Sequence, residues 1–224
     1  MSESTSLTLN AIGAQPTVRS QVAKSLRDAL VCGQMEPGVV YSAPALAAML
    51  GVSATPVREA MLDLTHEGLV ETVRNKGFRV TELSARDLDE LAALRALIEV
   101  PTIGDVARIG DPDTLEALRP LAEEITEAAE RADLITFIRA DTSFHLQLLA
   151  LAGNRVLVEQ IAQLRSRTRL YGLRKLAADG ALASSAREHS ELLDLLLARE
   201  ATAAEELMRR HIGHIRGTWA GNSE

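Results

Sequence analysis

The chain has 224 residues, with 24 Lys and Arg against 31 Asp and Glu, a formal charge of −7. Hydrophobic residues at 46% suffice for a packed core and exclude wholesale disorder; aromatics at 3% exclude a stacking platform for single-stranded nucleic acid. The single Cys32 excludes a disulfide framework, no apolar run approaches the roughly 18 residues of a membrane span, and the composition implies a soluble, cytoplasmic protein.

The charge is uneven. Residues 1–82 carry 7 basic and 8 acidic side chains, whereas residues 83–224 carry 17 and 23. The acidic C-terminal part repels DNA, so any DNA contact must come from local basic groups near the N-terminus.

Residues 1–16, polar and rich in Ser and Thr, read as a flexible tail. From Val18 to Cys32, Val22, Leu26, Ala29 and Leu30 recur at helical spacing, and Gly33 can end that helix. Glu36-Pro37-Gly38 is a turn, and Ser42 caps a short helix, Ala45 to Leu50, stopped by Gly51. Thr55-Pro56 starts a third helix that runs to about His66, a surface residue at its end; Gly68 closes it. Leu69–Val73 and Phe78–Val80 read as a two-stranded hairpin around Arg74-Asn75-Lys76-Gly77. Three short helices and a hairpin outline a winged helix-turn-helix over residues 17–82, with Gly51-Val52-Ser53-Ala54 as its corner. A generic three-helix domain with a hairpin fits the same pattern.

Residues 83–224 read as an all-helical bundle of about six helices, so the fold class is mainly α. Ser84 and Asp87 form a capping pair for a long helix, Ala85 to about Ile109. The later helices run from Asp111-Pro112 to about Arg131, Asp133 to about Ala152, Asn154 to about Ala177, Ser185 to Ala198 and Ala201 to Gly217, with a Gly180 loop. Asp141 and His145 lie four apart on the inward stripe of one helix, His189 sits on that of another, and His211 and the nearby His214 on that of the last. Taken singly, each histidine is an ordinary core residue. Three helices contributing together is a different case, because an unpaired buried Asp and three His would cost several kcal/mol. A divalent cation removes that cost. The oxygen and imidazole set suits zinc or nickel best, then manganese or iron.

Arg95 and Glu99, four apart, make an internal or interface ion pair, or else Arg95 holds an anionic ligand. The alternate spacing of Arg165, Arg167 and Arg169 scatters them around their helix, mostly toward solvent, with room for one to enter a cavity.

The stretch Leu46-Ala47-x-x-Leu50-Gly51-Val52-Ser53-Ala54-Thr55-Pro56-Val57-Arg58-Glu59-Ala60, followed by Glu67-Gly68-Leu69-Val70 and Gly77-Phe78-x-Val80, resembles the winged helix-turn-helix of GntR-family bacterial transcription regulators. The C-terminal part resembles the FCD-type ligand-binding domain of the FadR-like branch, through Phe144-His145 with Asp141, Gly153-Asn154, His189 and His211. The resemblance covers nearly all of residues 18–217. It implies a recognition helix from Thr55, with Arg58 reaching a guanine edge or phosphate, Ser53 and Thr55 on phosphate, and Lys76 and Gly77 at the wing tip. It also implies a metal held by Asp141, His145, His189 and His211. Two positions depart from the family, which usually has Arg where this chain has Ala54 and often a charged residue in place of Pro44.

The expected protein is a ligand-responsive regulator, a repressor acting as a homodimer on palindromic double-stranded DNA, with no membrane association. A small carboxylate effector would bind at the metal, with Arg95 and His214 as candidate contacts. Effector binding would shift the bundle against the segment Thr81–Ala85. Two alternatives remain at this point: a metal sensor with the cation as signal, and, more distantly, a metal-dependent hydrolase or oxygenase.

Overall fold

The computed structural model describes residues 16–169 and 181–214. The tail of residues 1–15, the expected end of the fourth bundle helix near Ala177, the Gly180 loop and the helix end at Gly217 lie outside the described residues.

Helix α1 (Val18–Val31) starts at Thr17, whose hydroxyl accepts from the Ser20 N–H at 3.1 Å, and it buries Val22, Ala23, Leu26 and Leu30. Strand β1 (Val40–Tyr41) leads into α2 (Ala43–Leu50), capped by Ser42 and stopped at Gly51 with φ of 67°. Helix α2 starts two residues earlier than the sequence suggested, because a first-turn proline, here Pro44, favours helical entry. Helix α3 (Ala54–His66) has Ser53 rather than Thr55 as its N-cap, and the Ser53 side chain makes no capping bond.

Strands β2 (Val70–Val73) and β3 (Gly77–Val80) pair antiparallel, as the hairpin reading required. The sheet has a third strand, however, in the order β1-β3-β2, with Val40 opposite Arg79 and Tyr41 opposite Phe78. Two residues are too few to show alternation, so β1 was invisible in the sequence. Leu26, Leu30, Leu46, Val57, Met61, Leu64, Phe78 and Val80 close a core beneath α1–α3 and the sheet.

Helix α4 (Ala85–Ile109) has the full Ser84–Asp87 capping box. Pro101 lies within it, and its missing N–H falls near the solvent-facing side with Leu94 and Leu97. The single helix expected from Asp111 to Arg131 is two helices, α5 (Pro112–Glu116) and α6 (Arg119–Glu130). Pro120 is the cause: in a continuous helix its ring would clash with the Glu116 carbonyl. Helices α7 (Leu134–Ala150), α8 (Arg155–Arg169), α9 (Ala181–Leu197) and α10 (Ala201–His214) complete the described bundle. Its core includes Ile103, Ile125, Phe144, Leu148, Ile161, Leu193 and Met208. No helix among the described residues is long and apolar enough to cross a membrane.

The head meets the bundle along α1, α7 and α8. A cleft of about 470 Å³ between them is lined by Val31, Leu69, Ile135, Ile138 and Ser166, among others. Arg167 of α8 lies against Gly68, just beyond α3, so closely that a Cβ on Gly68 would sit 3.0 Å from the Arg167 Cδ.

Candidate metal centre and DNA-reading head

Asp141 and His145 reach the centre of the bundle from successive turns of α7, His189 from α9 and His211 from α10. All four are buried, and one ligand-type atom from each lies within 4.8 Å of the others. The sequence spacing therefore brought together the four residues it singled out.

The hydrogen bonds fix where the lone pairs face. His189 Nδ1 donates to the Ala186 carbonyl at 2.9 Å, so the tautomer that makes this bond carries its lone pair on Nε2. That Nε2 lies 3.1 Å from Asp141 Oδ1 and 3.1 Å from His145 Nε2. His211 Nδ1 donates to Glu188 Oε2 at 2.8 Å, which likewise leaves its lone pair on Nε2. The His211 ring centroid stands 5.1 Å from that of His145 and 4.8 Å from that of His189. His145 Nδ1 has no hydrogen-bond partner.

Protonation of His145 or His211 does not relieve this gathering of acceptors at neutral pH. Burial, reinforced by the Arg165 charge, holds the His145 imidazole well below its ordinary value. Burial likewise pushes His211 down to about 4, although Glu188 opposes it. A lone pair facing a carboxylate oxygen in a dry interior is unfavourable unless a cation lies between them. One carboxylate oxygen and three imidazoles fit a borderline divalent ion. Phe144 closes one side, its ring edge-on to His145 and His189 at centroid distances of 5.4 and 5.3 Å.

A second charged group abuts the first. Arg165 is wholly buried, not solvent-facing, and donates to Asp141 Oδ2 at 2.7 Å and Glu99 Oε2 at 2.9 Å. The signal was present in the sequence, since Ile161, Arg165 and Thr168 fall at i, i+4 and i+7 on the buried face of α8. Arg167 is half-buried at the head, and nothing is described for the Arg169 side chain. Arg95 donates to Glu99 Oε1 at 2.5 Å, so it is one half of the internal ion pair. Burial pushes the Glu99 carboxyl up, but Arg95 and Arg165 together outweigh it and hold the group ionised. His214 stands outside the four-residue cluster, 3.5 Å from Glu188. Glu188 escaped the sequence reading because it lies off the apolar stripe of its helix.

In the head, Ser53, Thr55 and Arg58 are exposed at the start of α3, and Lys76 is exposed at the wing tip. Arg58, Arg74 and Lys76 form no ion pair with the described residues, while Arg79 pairs with Glu71 at 2.9 Å. Gly77 has a structural reason to be glycine: its φ is 134°, and a Cβ would collide with the Tyr41 carbonyl of β1. Pro44 is exposed at the start of α2, and Ala54 packs partly against the head core.

The profile described as "Bacterial regulatory proteins, gntR family" matches residues 18–80, and the FCD domain profile matches residues 90–214. This chain belongs to the GntR family of transcription regulators and carries an FCD domain. Relatives of the regulator include "HTH-type transcriptional regulator McbR" of Escherichia coli K12, 31% identical over 197 residues and 87% of each chain. The solved McbR structure superposes with a TM-score of 0.73 at 27% identity, covering 88% of this chain and 94% of that one. The "Probable D-xylose utilization operon transcriptional repressor" of Paenarthrobacter nicotinovorans is 31% identical over 198 residues, again 87% of each chain. A GntR-type regulator from Rhodococcus sp. RHA1 gives a TM-score of 0.74 at 27% identity, over 92% of this chain and 99% of that one. These relatives are regulators and not enzymes. This GntR regulator is a DNA-binding protein.

Proposed function

We propose that this regulator is a repressor whose FCD domain holds one divalent ion through Asp141, His145, His189 and His211, and that a small carboxylate effector binds beside the ion. The observation that carries the metal is the set of hydrogen bonds made by the imidazoles. His189 and His211 both spend their N–H on partners outside the cluster and keep their lone pairs for its interior.

Charge supports an anionic effector. Arg95 and Arg165 are balanced by Glu99 and Asp141, so a divalent ion adds two uncompensated positive charges to a buried site. Arg95, committed to Glu99, acts on that effector only through the local field. In the head, Arg58 reads a base edge, and Ser53, Thr55 and Lys76 take phosphate. Two heads are needed for useful specificity, and the exposed Leu94 and Leu97 on α4 offer an apolar face to a second copy.

When bound, the ion supplies a charge that the four side chains orient. The chain's own contribution is to fix the imidazole tautomers, exclude water with Phe144 and hold Asp141 through Arg165. Metal analysis of purified protein should give about one first-row ion per chain, diminished in His145→Ala. Arg58→Ala should lose binding to the protein's own upstream DNA, with a salt slope lower by about one per head. DNA release by carboxylates only in the metal-loaded protein supports the effector reading. Release by metal alone would make the cation the signal, and no metal in any preparation would remove the centre.

A further inference from the structure

The buried centre needs a route for its ion, and two of its sides do not provide one. Phe144 covers one side, and the guanidinium groups of Arg165 and Arg95 repel a cation on another. Toward α10 the groups change character. Exposure falls from 33% at the His214 side chain to 10% at Glu188, 9% at His211 and 1% at Asp141. These are all cation-binding groups. Glu188 Oε2 lies 2.8 Å from His211 Nδ1 and 3.5 Å from His214 Nδ1, so the three could hold an ion together.

We propose that Glu188, His214 and Nδ1 of His211 form an outer cation site through which a divalent ion enters and leaves the buried centre; this rests on the metal-binding reading above. His211 belongs to both sites through opposite nitrogens. A neutral imidazole has one lone pair, so it serves one ion at a time, carrying its single N–H on the other nitrogen. The outer and inner positions are therefore alternatives: as an ion passes from Nδ1 to Nε2, the single ring proton passes from Nε2 to Nδ1 by exchange with water, and Glu188 then accepts its hydrogen bond. Arg210 guards the outer position. Its Nε sits 3.2 Å from Glu188 Oε1, but the side chain is more than half exposed and shares Glu191 at 3.7 Å, so it leaves at small cost.

The test is stopped-flow zinc exchange on the metal-depleted full-length protein, with a chromophoric chelator reporting entry and exit. His214→Ala should slow both directions by roughly tenfold, because the outer site loses one of its three ligands, and leave the equilibrium affinity of the inner centre unchanged. Glu188→Gln should slow exchange and also weaken binding by roughly tenfold, because Glu188 orients His211. Arg210→Gln should accelerate entry, and the surface control His66→Ala should change nothing. A wild-type protein that takes up no zinc, nickel or manganese removes the inner centre and this proposal together. A wild type that binds zinc, with His214→Ala and Arg210→Gln exchanging at its rate, removes the outer site alone.

Discussion

Replacing Arg165 with Met tests the electrostatics of the centre most directly. The guanidinium joins two buried carboxylates at 2.9 and 2.7 Å, and methionine fills much of its volume without charge. Taking the delocalised charge centres as about 4 Å apart, each pair is worth about 4 kcal/mol in gross attraction at an effective dielectric of about 20, against the cost of keeping the guanidinium dry. Glu99 retains Arg95, so the loss concentrates on Asp141. Breaking a buried pair from one side typically costs about 3–5 kcal/mol, and that is the expected loss in urea unfolding of metal-free Arg165→Met. Zinc compensates the buried Asp141 charge that Arg165 no longer offsets. At about 100 times its dissociation constant a cation stabilises the wild type by about 2.7 kcal/mol, and the variant should gain at least about 1 kcal/mol more. Equal zinc stabilisation of both proteins, or a metal-free loss under about 1 kcal/mol, would refute the reasoning.

Three further outcomes follow from other parts of the molecule. Unfolded histidines take up protons near pH 6.5, whereas burial delays His211 in the folded protein to about 4. The unfolded chain thus binds more protons in that window, and His211 alone should lower metal-free stability by about 3 kcal/mol between pH 6.5 and pH 4, with His145 adding to the fall, as read by denaturation at fixed salt. Gly77→Ala should cost about 1–3 kcal/mol by forcing an alanine into a φ of 134° against the Tyr41 carbonyl, weakening DNA binding while metal content is unchanged. Leu97→Glu, on a side chain 75% exposed, should convert a dimer to monomer in sedimentation with less than about 0.5 kcal/mol change in the fold of the single chain.

The helical bundle and the winged head were legible because their cues are local and periodic. Ser84 with Asp87, and the spacing of Asp141 and His145, state a cap and a buried stripe within one helix. The wing's third strand was not legible, since Val40 and Tyr41 become a strand only through pairing with β3. Nor were the partners of the centre. That Arg165 faces Asp141 while Arg95 turns to Glu99 depends on how α8 crosses α4 and α7, which no single stripe specifies. Pro120 was a missed cue of the opposite kind, a local rule that should have divided one expected helix.

Helix α8 places three consecutive side chains in three settings: Arg165 grips Asp141, Ser166 lines the cleft, and Arg167 rests on Gly68 at the foot of α3. One helical turn thus runs from the carboxylate of the proposed metal centre to the base of the proposed recognition helix. Because Arg165 and Arg167 share one unbroken helical turn, a tilt of that turn would shift both contacts together, like a rocker on a single pin.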